Sequence, residues 1–248
     1  LLDIPAGFFK LINNSKYLTY HKSLPQKHLG GRENIIPQGH VLGGGTSVNS
    51  QVYMRGRPQD YNEWEEILRF NNDTTSWAWE DLLPYFKNME NNSHLENEFH
   101  GNSGPLMVSD SIHINQVSKD FIRTVEELGV PYTEDFNGSS QKGVGYYQFM
   151  NRHGKRSSAA YAFITPEKNN KNLQVNLNST VEKIIIEKNK AIGVEYRNSR
   201  GELNKKFANK EVILAAGSFI TPKLLMLSGI GNPEELKKFN ISCIVDLP

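Results

Sequence analysis

Two glycine-bearing stretches hold the residue types most able to do chemistry in this chain of 248 residues. The first is Gly39-His40-Val41-Leu42-Gly43-Gly44-Gly45-Thr46-Ser47-Val48-Asn49, continuing through Val52-Tyr53-Met54-Arg55-Gly56. Three consecutive glycines let a backbone approach a ligand with no Cβ in the way. Amide N–H groups presented by such a loop, with a helix start behind it, suit a pyrophosphate. Thr46, Ser47 and Asn49 add hydroxyl and amide groups. A glycine-rich surface turn has the same composition, so this segment alone leaves both readings open. The second stretch, Gly217 to Gly231, reads as a strand end, a tight turn, a helix with a Leu224/Leu225/Leu227 face and a glycine-rich exit. Ligands of α/β sheets sit at the carboxyl ends of strands, although an ordinary β-α unit without a ligand looks the same.

Other chemistries find less support. The single cysteine, Cys243, allows no internal disulfide and no cysteine-based zinc site, and no metal site is expected. His21, His28, His40, His94, His100, His113 and His153 lie in turns or polar context and are expected to be solvated or structural. None is read as a general base, which must reach the proton it removes. Arg152 and Arg156 are expected at the surface. The net charge of +1 comes from dispersed residues and gives no case for nucleic acid or a membrane surface. Mean hydropathy is −0.53, and no apolar run approaches the roughly 18 residues of a membrane span. The chain starts at Leu1, and Leu1-Leu2-Asp3-Ile4-Pro5 is no signal peptide, so its ends are expected not to be natural ones. Asn-X-Ser/Thr triplets at Asn13, Asn72, Asn91, Asn137, Asn178 and Asn240 suit a secreted protein, and an Asn-rich chain also produces such triplets by chance, so both readings stay open.

The elements that would position these residues follow from periodicity. Tyr61, Trp64, Ile67 and Leu68 share one helical face. So do Leu82, Leu83, Phe86 and Met89, and again Val117, Phe121, Val125 and Leu128, with Gly129 and Pro131 as stop signals. Pro105–Val108 and Gly145–Met150 read as extended segments flanking the third helix, a block expected to belong to a second, smaller domain. From residue 173 the pattern turns to strands: Leu173–Leu177, Val181–Ile186, Ala191–Tyr196 and Glu211–Ala216, with turns at Lys188-Asn189-Lys190 and Asn198–Gly201. A helix is expected from about Thr221-Pro222.

The two glycine-bearing stretches, taken together, resemble the two signature patterns of the glucose–methanol–choline oxidoreductases. Leu42-Gly43-Gly44-Gly45-Thr46-Ser47-Val48-Asn49 with Arg55-Gly56 matches the first, and residues 217–231 fit the second at every specified position. Trp77–Lys87, Phe99-His100-Gly101, Gly104-Pro105-Leu106, Asp135–Gly138, Gly143–Gly145, Arg156–Tyr161 and Thr165-Pro166 are similar to further family segments, so the resemblance covers nearly the whole chain. The style resembles the insect-type glucose dehydrogenase branch, whose members are often secreted.

The resemblance implies an α/β (mixed α+β) fold. It implies an incomplete FAD-binding Rossmann-like domain, residues 1–104 and 153–248, with an inserted substrate-domain segment at 105–152. It implies FAD as cofactor, with Val41, Gly43, Gly44, Thr46, Asn49 and Val52 lining the flavin and pyrophosphate, Val181 at the adenine end, and Ala216 and Gly217 near the dinucleotide. The implied reaction moves a hydride from an alcohol or sugar to the flavin and on to a quinone or oxygen. The family's Gly-x-Gly-x-x-Gly unit occurs nowhere in the chain. The family's catalytic histidine is expected beyond Pro248, so no residue here is assigned as catalytic and the isolated chain is expected to be inactive. The alternative expectation is a non-catalytic remnant or secreted binding protein of the same family.

Overall fold

The computed structural model describes residues 2–11 and 14–247, which form two units divided after Leu173. In the first unit a short helix α1 (Phe8–Leu11) precedes an antiparallel pair, β1 (Leu18–Lys22) and β2 (Ile35–Gly39), in register from Leu18 against Gly39 to Lys22 against Ile35. The glycine-rich loop leaves β2 and makes one 3₁₀ turn at Gly44–Ser47. Helices α2 (Pro58–Phe70) and α3 (Trp79–Met89) follow where the 3.6-residue periodicity places them. Their aromatic side chains meet one another: Tyr61 stacks on Trp79 at 5.7 Å and packs against Phe86 at 5.6 Å.

Strands β3 (Glu90–Asn92) and β4 (Leu106–Val108) pair in parallel, and α4 (Gln116–Glu127) starts at Asn115, whose side chain accepts from the Ser118 N–H. Only Ile122 of α4 is buried. Val117, Phe121 and Leu128 on the expected apolar face are exposed. The Gly145–Met150 segment, expected as a strand, is held by isolated bridges, Phe149 pairing with both Val52 and Ser109. Two-residue strands β5 (Asn151–Arg152) and β6 (Lys155–Arg156) lead into a π-helical turn at Ala160–Ile164. The core of this unit is Tyr53, Leu106, Val108 and Ala162, with Met89 and Met150 against it. The 105–152 segment lies wholly within this first unit.

The second unit is a three-stranded antiparallel meander, β7 (Thr180–Glu187), β8 (Lys190–Arg197) and β9 (Leu203–Phe207). The β7–β8 turn has Lys188 and Asn189 at φ 50° and 62°, the left-handed geometry that suits the strand twist. Helix α5 (Ile220–Leu227) packs on β7, and β10 (Ile230–Gly231) pairs in parallel with β11 (Val245–Asp246) around α6 (Pro233–Lys237). Ile184, Leu224 and Leu236 are the buried apolar residues here.

Two sequence expectations fail from residue 173 onward. Leu173–Leu177 and Glu211–Ala216 are not strands. Each has the apolar pattern of one, but neither finds a pairing strand among the described residues, and a strand cannot satisfy its backbone groups alone. Leu177 and Ile213 stay exposed as a result.

Candidate functional site

The sequence-assigned cofactor residues divide between the units: Val41, Gly43, Gly44, Thr46, Asn49 and Val52 lie in the first, and Val181, Ala216 and Gly217 in the second. The loop of the first unit has a built geometry. Gly43 and Gly44 take left-handed φ values of 88° and 54°, a region that costs other residues about 1 kcal/mol or more. A Cβ at Gly43 would lie 2.4 Å from Ser47 Oγ. Gly45 is different: its φ is not in the left-handed region, and a Cβ there would meet nothing within 4 Å. The protein's own packing therefore does not require glycine at 45, whereas close approach of a ligand would.

The polar side chains of the loop brace it. Ser47 Oγ donates to Leu42 O at 2.8 Å. Thr46 Oγ1 donates to Gly43 O at 2.6 Å and accepts from the Ala159 N–H at 2.9 Å. Asn49 Oδ1 accepts from Gln51 N–H at 3.0 Å and from Arg156 Nη1 at 2.8 Å. The main chain is left to meet a ligand. Val41 O and Gly43 O accept from Gly44 and Thr46, but the Gly43 and Gly45 amides donate to no acceptor among the described residues. Two such donors in a left-handed turn form a concave anion-binding backbone. The residues present fit a pyrophosphate, which amides rather than hydroxyls would hold. Val52 bridges Phe149 and is partly exposed.

In the second unit Val181 pairs with Tyr196, and Gly217 turns at φ 88° with its carbonyl accepting from Thr221 N–H at 3.0 Å. Ser228, within the second pattern, is buried; its hydroxyl donates to Leu224 O and accepts from Ile184 N–H at 2.8 Å. That residue ties α5 to β7.

Arg55, at the end of the first pattern, anchors a buried ion network. Its Nη2 lies 2.5 Å from Glu90 Oε2, with Nη1 donating to Phe99 O at 2.7 Å. Glu90 Oε1 faces His100 Nδ1 at 2.8 Å, and His100 Nε2 faces Asp135 Oδ2 at 2.9 Å. Carboxylates only accept, so both imidazole nitrogens carry protons and the ring is a cation. Burial works against that charge, but the hydrogen bonds to Asp135 and Glu90 outweigh it and raise the pKa to about 9. Asp135 is held below its ordinary range; burial opposes this, and the His100 and Asn137 hydrogen bonds prevail. Two cations and two anions cancel. The network is structural, as expected for His100, but nothing local in the sequence announces it.

Arg156 corrects an expectation. It is 3% exposed rather than at the surface. Its Nε donates to Leu2 O at 3.0 Å and its Nη1 to Thr46 O at 3.1 Å and Asn49 Oδ1. It forms no ion pair with a carboxylate among the described residues, and burial lowers its pKa, with Asp3 acting the other way. Arg152 is half-buried and donates to Asn91 Oδ1 at 3.0 Å.

The acceptor triplets also sort by structure. Asn137 is buried, accepting from Arg55 N–H at 2.8 Å and donating to Tyr53 O at 3.1 Å, so its amide is not open to a glycan. Asn72, Asn178 and Asn240 are exposed at positive φ, and Asn13 lies outside the described residues.

Comparison with known proteins agrees with this geometry. A family model described as "GMC oxidoreductase" matches residues 11–243. The chain is 37% identical, over 250 aligned positions, to an "Alcohol dehydrogenase [acceptor]" of Pseudomonas putida, and 37% identical over 248 to an "Oxygen-dependent choline dehydrogenase" of Brucella anthropi. The whole chain is covered in both, and it spans 44% of the length of each relative. Among solved structures, pyridoxine 4-oxidase from Mesorbium loti superposes with TM-score 0.89 at 29% identity, covering 100% of this chain and 48% of that one. An "FAD-dependent oxidoreductase from Chaetomium thermophilum" gives 0.84 at 29%, covering 94% and 42%. With its glycine loop, its mixed α/β fold and a family match over nearly all its residues, the chain belongs to the GMC oxidoreductase family.

Proposed function

We propose that the protein to which this chain belongs is an FAD-dependent oxidoreductase of CH–OH donors, and that residues 41–52 hold the cofactor. The observation that carries this reading is the loop itself: amides at Gly43 and Gly45 with no acceptor among the described residues, the second on a glycine that packing does not demand. Val41, Gly43, Gly44, Thr46, Asn49 and Val52 would line the flavin and pyrophosphate, Val181 would meet the adenine end, and Ala216 and Gly217 would pass near the dinucleotide. Bound there, FAD would supply a hydride acceptor for an alcohol carbon. The chain's own residues orient and enclose: Ser47, Thr46 and Asn49 fix the loop so that its amides point without reorganisation, and the Arg55 network holds the loop's far end.

Alcohols and choline appear in the names of relatives, and a sequence style resembling the insect-type glucose dehydrogenase branch adds sugars. These three classes are the substrates to screen in the full-length protein, with a quinone-like dye and with oxygen as alternative acceptors. We also place the protein outside the cell, on the exposed acceptor triplets at Asn72, Asn178 and Asn240. A glycosidase-sensitive mass shift that maps to those residues is the check.

The test of the cofactor reading compares Gly45→Ala with wild type in the full-length protein. Stability should stay within about 0.5 kcal/mol, because a surface change away from special geometry costs little, while FAD affinity should fall. Full-length protein that purifies colourless and takes up no added FAD would sink the proposal.

A further inference from the structure

Two exposed surfaces of the first unit complement each other, and neither covers the other within the chain. The first is on α2, where much of the expected apolar face stays open. Trp64, Ile67 and Phe70 follow one another at helical spacing as an exposed stripe, with Phe70 87% exposed. Trp77, also exposed, stands edge-on to Trp64 at 6.0 Å and widens the stripe. Glu63 and Glu66 are exposed alongside it. Neither forms an ion pair among the described residues, whereas Asp60 and Glu65 of the same helix pair with Arg57 and Arg69. Scattered exposed apolar residues are ordinary, but a contiguous stripe with a charged rim marks an interaction surface. The second surface is the tip of the β1–β2 hairpin. It folds through a 3₁₀ turn at Lys27–Leu29, closed by the Gln26–Arg32 bridge and by Gly31 N–H donating to Gln26 O at 3.0 Å. This ordered tip exposes two apolar side chains, Leu24 at 81% and Leu29. Lys22 pairs with Glu33, while Lys27 and Arg32 are exposed and form no ion pair among the described residues. No third strand joins β1 and β2 among the described residues, and a two-stranded hairpin gains stability by packing against a helix.

We propose that the hairpin tip of one copy of this chain docks on α2 of a second copy, Leu24 and Leu29 covering the Trp64–Ile67–Phe70 stripe and Lys27 and Arg32 meeting Glu63 and Glu66. The occupant follows from complementarity. One surface is apolar with a basic rim, the other is apolar with an acidic rim, and both belong to the same polypeptide. Each copy carries both, so a two-fold dimer makes the contact twice and leaves neither surface open. The apolar centre excludes water, and the rim charges select the partner and guide its approach. The inference concerns assembly and does not rest on the cofactor reading.

The test measures self-association of the full-length protein by analytical ultracentrifugation. Wild type should dimerise, with a Kd that rises with salt because rim charges are screened. A tip-reversed variant, Lys27→Glu with Arg32→Glu, and a face-reversed variant, Glu63→Lys with Glu66→Lys, should each raise that Kd about a hundredfold or more, since like charges then meet at both contacts. Mixed together, the two variants should form a heterodimer at close to wild-type affinity. Each reversed tip then meets a reversed face, and each unaltered tip an unaltered face, a rescue that a contact within one chain cannot produce. Wild-type protein that stays monomeric at every concentration overturns the proposal. So does a dimer that both reversals leave intact, and so do two variants that stay apart when mixed. Should a double variant fail to fold, the single reversals Lys27→Glu and Glu66→Lys carry the same mixing test.

Discussion

Two buried arginines sit in the first unit under opposite conditions. Arg55 meets a carboxylate, a backbone carbonyl and a tyrosine hydroxyl, within a network whose charges cancel. Arg156 meets two backbone carbonyls and one amide oxygen and, among the described residues, no carboxylate, and keeps one nitrogen unmet there. Burying a charge is costly unless it is paired. The first arginine is therefore complete within the chain and serves the fold. The second is incompletely partnered among the described residues, and holds the loop through neutral acceptors alone.

The contrast can be broken most forcefully at Arg55. Arg55→Met would leave Glu90 buried without its strongest partner, and should cost about 3–5 kcal/mol by chemical denaturation of the full-length protein. Arg156→Met strands no carboxylate and should cost only about 1–2 kcal/mol, the price of a few neutral acceptors left unmet. Equal losses at the two positions would erase the distinction. Gly43→Ala, which meets both a left-handed φ and a Ser47 Oγ at 2.4 Å, should cost about 1–3 kcal/mol. Gly45→Ala should cost almost none.

The Arg55 network also carries a pH signature that Arg156 lacks. The His100 pKa is raised to about 9 in the fold, against about 6.5 for an unfolded histidine. A raised folded pKa means stability that is full below pH about 6.5 and lost as pH climbs through about 9. Thermal melts should therefore fall between those values. His100→Asn should flatten that limb while lowering stability throughout; an unchanged limb would mean the imidazole is not the titrating group.

Local signals were legible in the sequence wherever the chain satisfies itself locally. The helices at 58–70, 79–89 and 116–127 followed from 3.6-residue spacing, and the β7–β8 hairpin from β-branched runs around Lys188-Asn189. The two glycine patterns led to the family that the comparisons then showed. Where a feature depends on a distant partner, the reading failed. Leu173–Leu177 and Glu211–Ala216 have the pattern of strands but no neighbour to pair with among the described residues. Asn137 has the triplet of a glycan acceptor, yet residues some eighty positions earlier claim its amide.

What the sequence by itself determined is thus the family, the glycine loop and most of the helices and hairpins, because backbone preferences and periodicity act over a few residues. What only the tertiary structure decided is the role of each polar side chain. Thr46, Ser47 and Asn49 brace the loop, His100 became a buried cation, and Arg156 moved from the expected surface into the interior. Burial and pairing are set by residues far apart in the chain, and charge and hydrogen bonding take their energy from that surrounding rather than from residue type.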